Sequence, residues 1–340
     1  MRSTALLATC VATLFTIPQV ARAKPLLAVS AEAGGEVVLV DPATGQVVEH
    51  IKVGTRPRGL KPSRDGKRLL VAVAGPPKAA PRPGAPAAAA DKSAGLAIVD
   101  VAARKVAKQI ATPPAPYAVD VSPDGRTAFV SNSDTNELFL IDVASGTIKK
   151  TQGGTEPQGL AVRRDGKAVF IAAHGGDEVS AINPKTAKLL MRIDAGSRPQ
   201  TVLLAPRGDT GFAIDEGMPL VTIIDTKGNA FKQELLLPRP AKPPGPALQS
   251  GVLSPDGKLI YLTTGPARSV LFVDIAKKAV VGTVDGVGAF PRGIAISPDG
   301  KKLYTANGPS NDVAIIDVAA KKVESRVAVP GAPWGLVFLK

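Results

Sequence analysis

The sequence predicts an all-β chain folded as a single seven-bladed β-propeller with four-stranded blades. Three observations predict it. A Pro-x-Gly phrase, followed by apolar alternation and a Ser-x-Asp-Gly turn, recurs along the chain. A second phrase, an apolar run closing on Asp or Asn, falls between its copies, and each phrase occurs seven times. The 34 glycines and 31 prolines are spread over the whole length, as many short strands and tight turns require. Hydrophobic residues make up 44% but aromatics only 4%, so the core must be built mainly from Val, Leu, Ile and Ala.

The first phrase is clearest at Pro57-Arg58-Gly59, Pro116-Tyr117-Ala118, Pro157-Gln158-Gly159 and Pro291-Arg292-Gly293. Leu248-Gln249-Ser250 lacks the proline, Pro199-Gln200-Thr201 is degraded, and Pro333-Trp334-Gly335 runs into the last residues. The second phrase ends at Asp41, Asp100, Asp142, Asn183, Asp225, Asp274 and Asp317. The period is about forty residues, which suits a four-stranded propeller blade. It is stretched twice, by Pro/Ala-rich inserts at 75–94 and 238–247.

Each unit then reads as four strands. Strand A follows the proline. The Asp-Gly turn, where glycine accepts a positive φ and aspartate bonds its own turn, leads to strand B. A variable loop leads to strand C, which stops at the acid, and a further turn leads to strand D. Beyond residue 24 the chain opens in a B strand, Leu26-Leu27-Ala28-Val29, and finishes on an A strand, Gly335-Leu336-Val337-Phe338. The last strand should therefore complete the first blade and close the ring without free edges.

The strand-B phrases Tyr304-Thr305-Ala306-Asn307 and Phe129-Val130-Ser131-Asn132 resemble the signature of the YVTN β-propeller repeat family, as do the Ser-Pro-Asp-Gly turns at Ser122, Ser254 and Ser297. The resemblance covers nearly all of 24–340. It implies the propeller fold and a role among periplasmic binding, surface-layer or quinoprotein-associated proteins, without choosing one.

Residues 1–23 have the form of an export leader: Arg2, an apolar run from Ala5 to Ile17, and the small-x-small site Ala21-Arg22-Ala23. The chain from 24 to 340 would be one domain in the periplasm or outside the cell, with no later span for a membrane. Cys10, the single cysteine, falls in the leader, so neither a disulfide nor thiol chemistry is expected. With two histidines no transition-metal site is expected, and nothing calls for a cofactor. The net charge is +13, but its lysines sit mostly in turns such as Lys301-Lys302 and Lys321-Lys322, as on a solvated surface. No basic stripe interleaved with aromatics points to nucleic acid, and a monomer is expected.

Residues that break a repeat are better candidates for chemistry than those that make it. The acids of the two phrases recur once per blade and start turns, so they are structural. The D-to-A and B-to-C loops share one face of the ring, termed the upper face. The residue after each proline should point to the channel mouth there: Arg58, Tyr117, Gln158, Gln200, Gln249, Arg292 and Trp334. Arg56 and Arg198 should lie just outside, with His174 in a B-to-C loop, in the slot that Asn132 and Asn307 hold elsewhere. Arginines among aromatics and amides suit a small carboxylate-bearing or planar ligand, because guanidinium forks match carboxylates and stack on rings. No nucleophile elbow, P-loop, haem-attachment or zinc-protease motif is present. The leading expectation is a non-catalytic binding or scaffold protein for an anionic ligand or a protein partner. The alternatives are a lactonase-like hydrolase, in which His174 would act as a base, and an accessory of a periplasmic quinoprotein or redox system.

Overall fold

The computed structural model describes residues 25–77, 93–238 and 247–339. The leader expected at 1–23 and most of both Pro/Ala-rich inserts lie outside the described residues. Seven four-stranded antiparallel sheets form the molecule, 28 strands in all among the described residues. Their innermost strands are Pro57–Pro62, Pro116–Val121, Pro157–Val162, Pro199–Leu204, Leu248–Leu253, Pro291–Ile296 and Pro333–Leu339. These seven strands touch one another in chain order round a full circle, so the architecture is a closed seven-bladed β-propeller. Among the described residues no helix is long and apolar enough to cross a membrane.

Closure takes the expected form. Strand Pro333–Leu339 pairs antiparallel with Leu26–Ala31, placing Leu339 opposite Leu26 and Leu336 opposite Val29. Blade 1 thus takes its inner strand from the last described residues and its other three from the first. The six following blades are numbered in chain order.

The middle strands of each blade are covered on both faces and read as unbroken apolar runs, such as Leu69 to Val73. The outermost strands bury one residue in several and expose the rest. Apolar side chains from successive blades merge into clusters between them. Leu27, Val29 and Leu336 meet Tyr304 and Ile315 at the seam of blades 7 and 1, where the Tyr304 and Phe338 rings meet edge to face with centroids 5.2 Å apart.

Two details explain the recurring phrases. The inner strands approach so closely that a side chain two residues after the proline would strike the next blade. A Cβ on Gly159 would lie 2.6 Å from Thr201 Cα, and one on Gly335 would lie 2.8 Å from the Arg58 carbonyl oxygen. The remaining blades carry only Ala, Ser or Thr besides glycine at that position. The hydroxyl in the third place of the strand-B signature fastens neighbouring blades. Ser30 Oγ donates to the Arg58 carbonyl at 2.7 Å, and Thr263 Oγ1 to the Arg292 carbonyl at 2.9 Å. Ser131 Oγ makes the equivalent bond to the Gln158 carbonyl at 2.5 Å. Replacing Ser131 by Ala should cost about 1 kcal/mol, the usual worth of such a bond. A urea titration would check this, and an unchanged midpoint would count against the fastening role.

The recurring acids are structural. Each of the seven strand-C acids or amides accepts a bond from a backbone N–H of the turn it starts. The signature asparagines serve the fold too. Asn132 Nδ2 donates to the carbonyls of Pro113 and Pro114, and Asn307 Nδ2 to that of Val287, pinning the end of strand B to the loop before strand A.

Candidate functional site at the upper mouth of the channel

A cavity of about 210 Å³ occupies the channel. Five of the seven expected mouth residues line it: Tyr117, Gln200, Gln249, Arg292 and Trp334. They converge on one another. The Arg292 guanidinium carbon lies 3.9 Å from the Trp334 ring centroid and 4.9 Å from that of Phe290. Arg58, which does not line the cavity, lies 4.6 Å from the same Trp334 ring and 5.4 Å from Tyr117. Tyr117 meets Trp334 edge-on with centroids 5.8 Å apart. Two guanidinium groups thus lie over one indole, an arrangement in which the ring faces attract the cations. Tyr117 is half-buried as a whole, but its hydroxyl end is desolvated and pushed up to about 12. That hydroxyl donates to Gln200 Oε1 at 3.1 Å. Gln158 does not line the cavity, although Gly159 beside it does. Its Oε1 is buried without a hydrogen-bond partner.

The other arginines of the mouth pair with carboxylates, two of them sharing one. Glu32 Oε1 takes bonds from Arg56 Nε at 3.2 Å and Arg58 Nε at 3.0 Å. Glu216 gathers the opposite side. Its Oε2 lies 3.0 Å from His174 Nε2 and 3.1 Å from Arg198 Nη2, and its Oε1 accepts from Gln249 Nε2 at 3.1 Å. The hydrogen bond to His174 holds the Glu216 carboxyl down at about 2, against burial. The other nitrogen of the buried His174 ring faces Glu156 Oε2 at 3.4 Å. Arg292 differs from the other three arginines: among the described residues it has no ion-pair partner, and burial lowers its pKa below the ordinary guanidinium range.

An unusual backbone aims several of these groups. Arg56, Glu156, Arg198 and Phe290, each directly before the proline of its blade, sit at φ of 57°, 49°, 64° and 49°. Left-handed geometry costs a non-glycine residue on the order of 1 kcal/mol, and such strain tends to persist where surrounding structure demands it.

One expectation is corrected. Ala173, not His174, pairs with the blade proline as Asn132 and Asn307 do. His174 lies one residue further, in the first turn of a short 3-10 helix, His174–Gly176. Strand B of that blade is regular to Ala173, so the slot is filled by a methyl group and the imidazole is carried into the loop towards Glu216. His50 lies exposed on an outer strand, 3.1 Å from Glu36. Glu216 and Glu32, the charges that organise both arginine clusters, had no distinguishing mark in the sequence beyond falling in B-to-C loops.

Asp215, adjacent to Glu216, behaves oppositely. It is wholly buried, and desolvation pushes its carboxyl up to about 6 although it accepts backbone N–H bonds from Met218 and Ser197. The two carboxyls give opposed pH slopes. The depressed Glu216 contributes stability above its ordinary 4.5, which is lost as pH falls towards 2. The raised Asp215 contributes stability below its ordinary 3.8, which is lost as pH rises through about 6. Glu216→Gln should therefore flatten the acid limb of the stability profile between 4.5 and 2, by on the order of 2 kcal/mol. Thermal melts of both proteins across that range would show it, and parallel profiles would refute the assignment.

Comparisons with known proteins agree on the fold. A family profile described as outer membrane protein assembly factor BamB matches residues 13–152. The curated proteins give no match. A hydrazine synthase structure from Kuenenia stuttgartiensis is 22% identical with a TM-score of 0.71, covering 86% of this chain and 92% of that one. The periplasmic gluconolactonase of Pseudomonas aeruginosa is 20% identical with a TM-score of 0.71, covering 93% and 99%. A candidate 6-phosphogluconolactonase from Bacteroides fragilis is 18% identical with a TM-score of 0.73, covering 95% and 100%. These likenesses establish the β-propeller and leave its chemistry to the site.

Proposed function

We propose that this is an exported, YVTN-type binding propeller that takes a small carboxylate-bearing ligand at the upper mouth of its channel, with Arg292 as the anion anchor. The observation that carries the reading is the charge state of the mouth. Arg56 and Arg58 share the one carboxylate of Glu32, and Arg198 pairs with Glu216. Arg292 lines the cavity, is partly desolvated and has no carboxylate among the described residues. A desolvated guanidinium is a strong partner for an incoming carboxylate, and its fork prefers that planar group. The Trp334 and Tyr117 rings offer flat surfaces beside it, while Gln200 and Gln249 supply amides. Export is supported by the leader-like residues 1–23 and by the periplasmic gluconolactonase among the proteins of like fold.

Calorimetric titration with a panel of aryl and hydroxy monocarboxylates, benzoate and gluconate among them, tests the reading. A ligand found in this way should bind Arg292→Ala about thirty-fold or more weakly, the usual loss for a charge-assisted bond. Arg292→Lys should recover part of that loss. Equal affinity in the alanine variant would remove Arg292 from the site.

A second reading, a lactone hydrolase, is favoured by one observation. The buried His174 ring is held by Glu216, which also accepts from Gln249 of the cavity wall, an orienting carboxylate of the kind a general base uses, and proteins of like fold carry lactonase names. A screen of lactones for pH-stat turnover separates the readings. Turnover that disappears in His174→Ala supports the hydrolase, and binding of the free acid without turnover supports the binding protein.

A further inference from the structure

A second cavity, of about 240 Å³, lies on the lower face between the inner strands and A-to-B turns of blades 2, 3 and 4. Lys61, Arg64, Arg163, Arg164 and Asp120 lie in its wall. All five break the repeat. The position of Lys61 and Asp120 is apolar in blades 4 to 7, as Ala161, Leu203, Val252 and Ala295. Arg64 and Arg164 stand where blades 3, 5, 6 and 7 have Pro123, Pro206, Pro255 and Pro298, and Arg163 stands where four blades have serine. A lysine on a turn is ordinary. Five departures in three adjacent blades that the fold brings to one cavity are not explained by solubility.

The charges can be paired off. Lys61 Nζ lies 2.8 Å from Asp120 Oδ1, and the other oxygen of this buried carboxylate accepts from the Val162 N–H at 2.9 Å. Arg163 Nε lies 2.8 Å from Asp165 Oδ1, and its Nη1 donates to the Thr226 carbonyl. Arg64 and Arg164 are left with no carboxylate partner among the described residues. Each is nevertheless held in place. Arg64 Nη1 donates to the Pro123 carbonyl at 3.0 Å, and Arg164 Nη1 to the Pro206 carbonyl at 3.1 Å. Each guanidinium therefore spans to the next blade's turn with one N–H group and keeps others for a ligand. Fixing a long side chain in advance reduces the ordering cost of binding.

We propose that this lower cavity is a phosphate site, taking a phosphomonoester group between Arg64 and Arg164. Two uncompensated guanidinium charges match the charge of about −2 that a phosphomonoester carries near neutral pH. Two forks present more donors than one carboxylate can accept, whereas three phosphate oxygens can. The group could arrive on a small soluble molecule or on a lipid headgroup, and both use this same chemistry. The site is separate from the upper mouth and does not depend on the reading of Arg292.

Titration of the full-length protein with inorganic phosphate and with phenyl phosphate, followed by phosphorus NMR, tests the site. Flotation with phosphatidylcholine vesicles containing a minor fraction of phosphatidic acid tests the lipid source. The variants are Arg64→Gln/Arg164→Gln, the charge-retaining Arg64→Lys/Arg164→Lys, and Lys301→Gln on a blade 7 turn of the same face. Saturable binding of either phosphate is expected, weakened at least ten-fold in the glutamine pair, partly kept in the lysine pair and unchanged in Lys301→Gln. Vesicle binding with the same dependence would assign the headgroup as source. The lysine pair keeps the test valid if the glutamine pair melts at a lower temperature. No binding of any of the three probes, or binding that falls equally in Lys301→Gln, would overturn the proposal.

Discussion

Deleting 333–340 is expected to abolish cooperative folding altogether. Those residues supply the inner strand of blade 1, and their loss would uncover an edge of Leu26–Ala31 and of the ring itself. Leu336 and Leu339 are buried in two different interblade clusters, and Phe338 packs on the first of them. Losing large side chains from a core costs about 2–5 kcal/mol each. Three such losses approach the 5–15 kcal/mol that holds a typical domain folded, before any hydrogen bond is counted. A far-UV circular dichroism melt should lose its sharp transition, and the truncated chain should bind a hydrophobic dye at room temperature. A truncated protein that melted cooperatively within a few degrees of the parent would contradict the closure argument.

The second large effect is expected from Gly159→Val. The glycine matters here for space, since a Cβ would fall 2.5 Å from Thr201 Oγ1 and 2.7 Å from the Gln200 carbonyl oxygen. Both belong to the next inner strand, so relief requires two blades to move apart. Overpacking of this kind costs about 1–3 kcal/mol, and the upper end or beyond is expected at a ring of close backbones. Gly125→Ala provides the contrast. It has positive φ, 73°, but nothing within 4 Å of the new atom, so only the left-handed penalty of about 1 kcal/mol applies. Chemical denaturation of both variants would rank them, and a Gly125→Ala effect as large as that of Gly159→Val would show that crowding is not what selects the small residue.

The fold was legible because each blade repeats the same demands. Pro-x-Gly marks the close approach of inner strands, Asp-Gly marks the A-to-B hairpin, and the strand-C acid marks the next turn. A repeat multiplies a weak local signal seven times. The candidate site was partly legible by the complementary rule, that departures from the repeat mark it: position alone places Arg292, Trp334 and Tyr117 at the channel mouth. The pairing of these residues was not. Glu32 and Glu216 lie on loops of variable length, and their partners are side chains from other blades, brought near only by the ring. His174 shows the limit in one residue, because a shift of one position between strand end and loop is invisible without the register. The lower arginines carry no strong mark in the sequence because they occur inside well-formed turns, where a basic residue is unremarkable until three of them share a cavity.

Trp334, the indole under two guanidinium groups, belongs to the strand that seals the circle. Arg58 and Arg292, on the blades to either side, can reach it only when that strand is in place. The seam of the ring therefore passes through the middle of the upper pocket, and an incompletely sealed molecule would have no pocket to offer. By the same coupling, an occupant held by Arg292 would favour the sealed ring over the open one, in proportion to its concentration over its dissociation constant. Recognition and completion of the fold would then be one event observed from two sides.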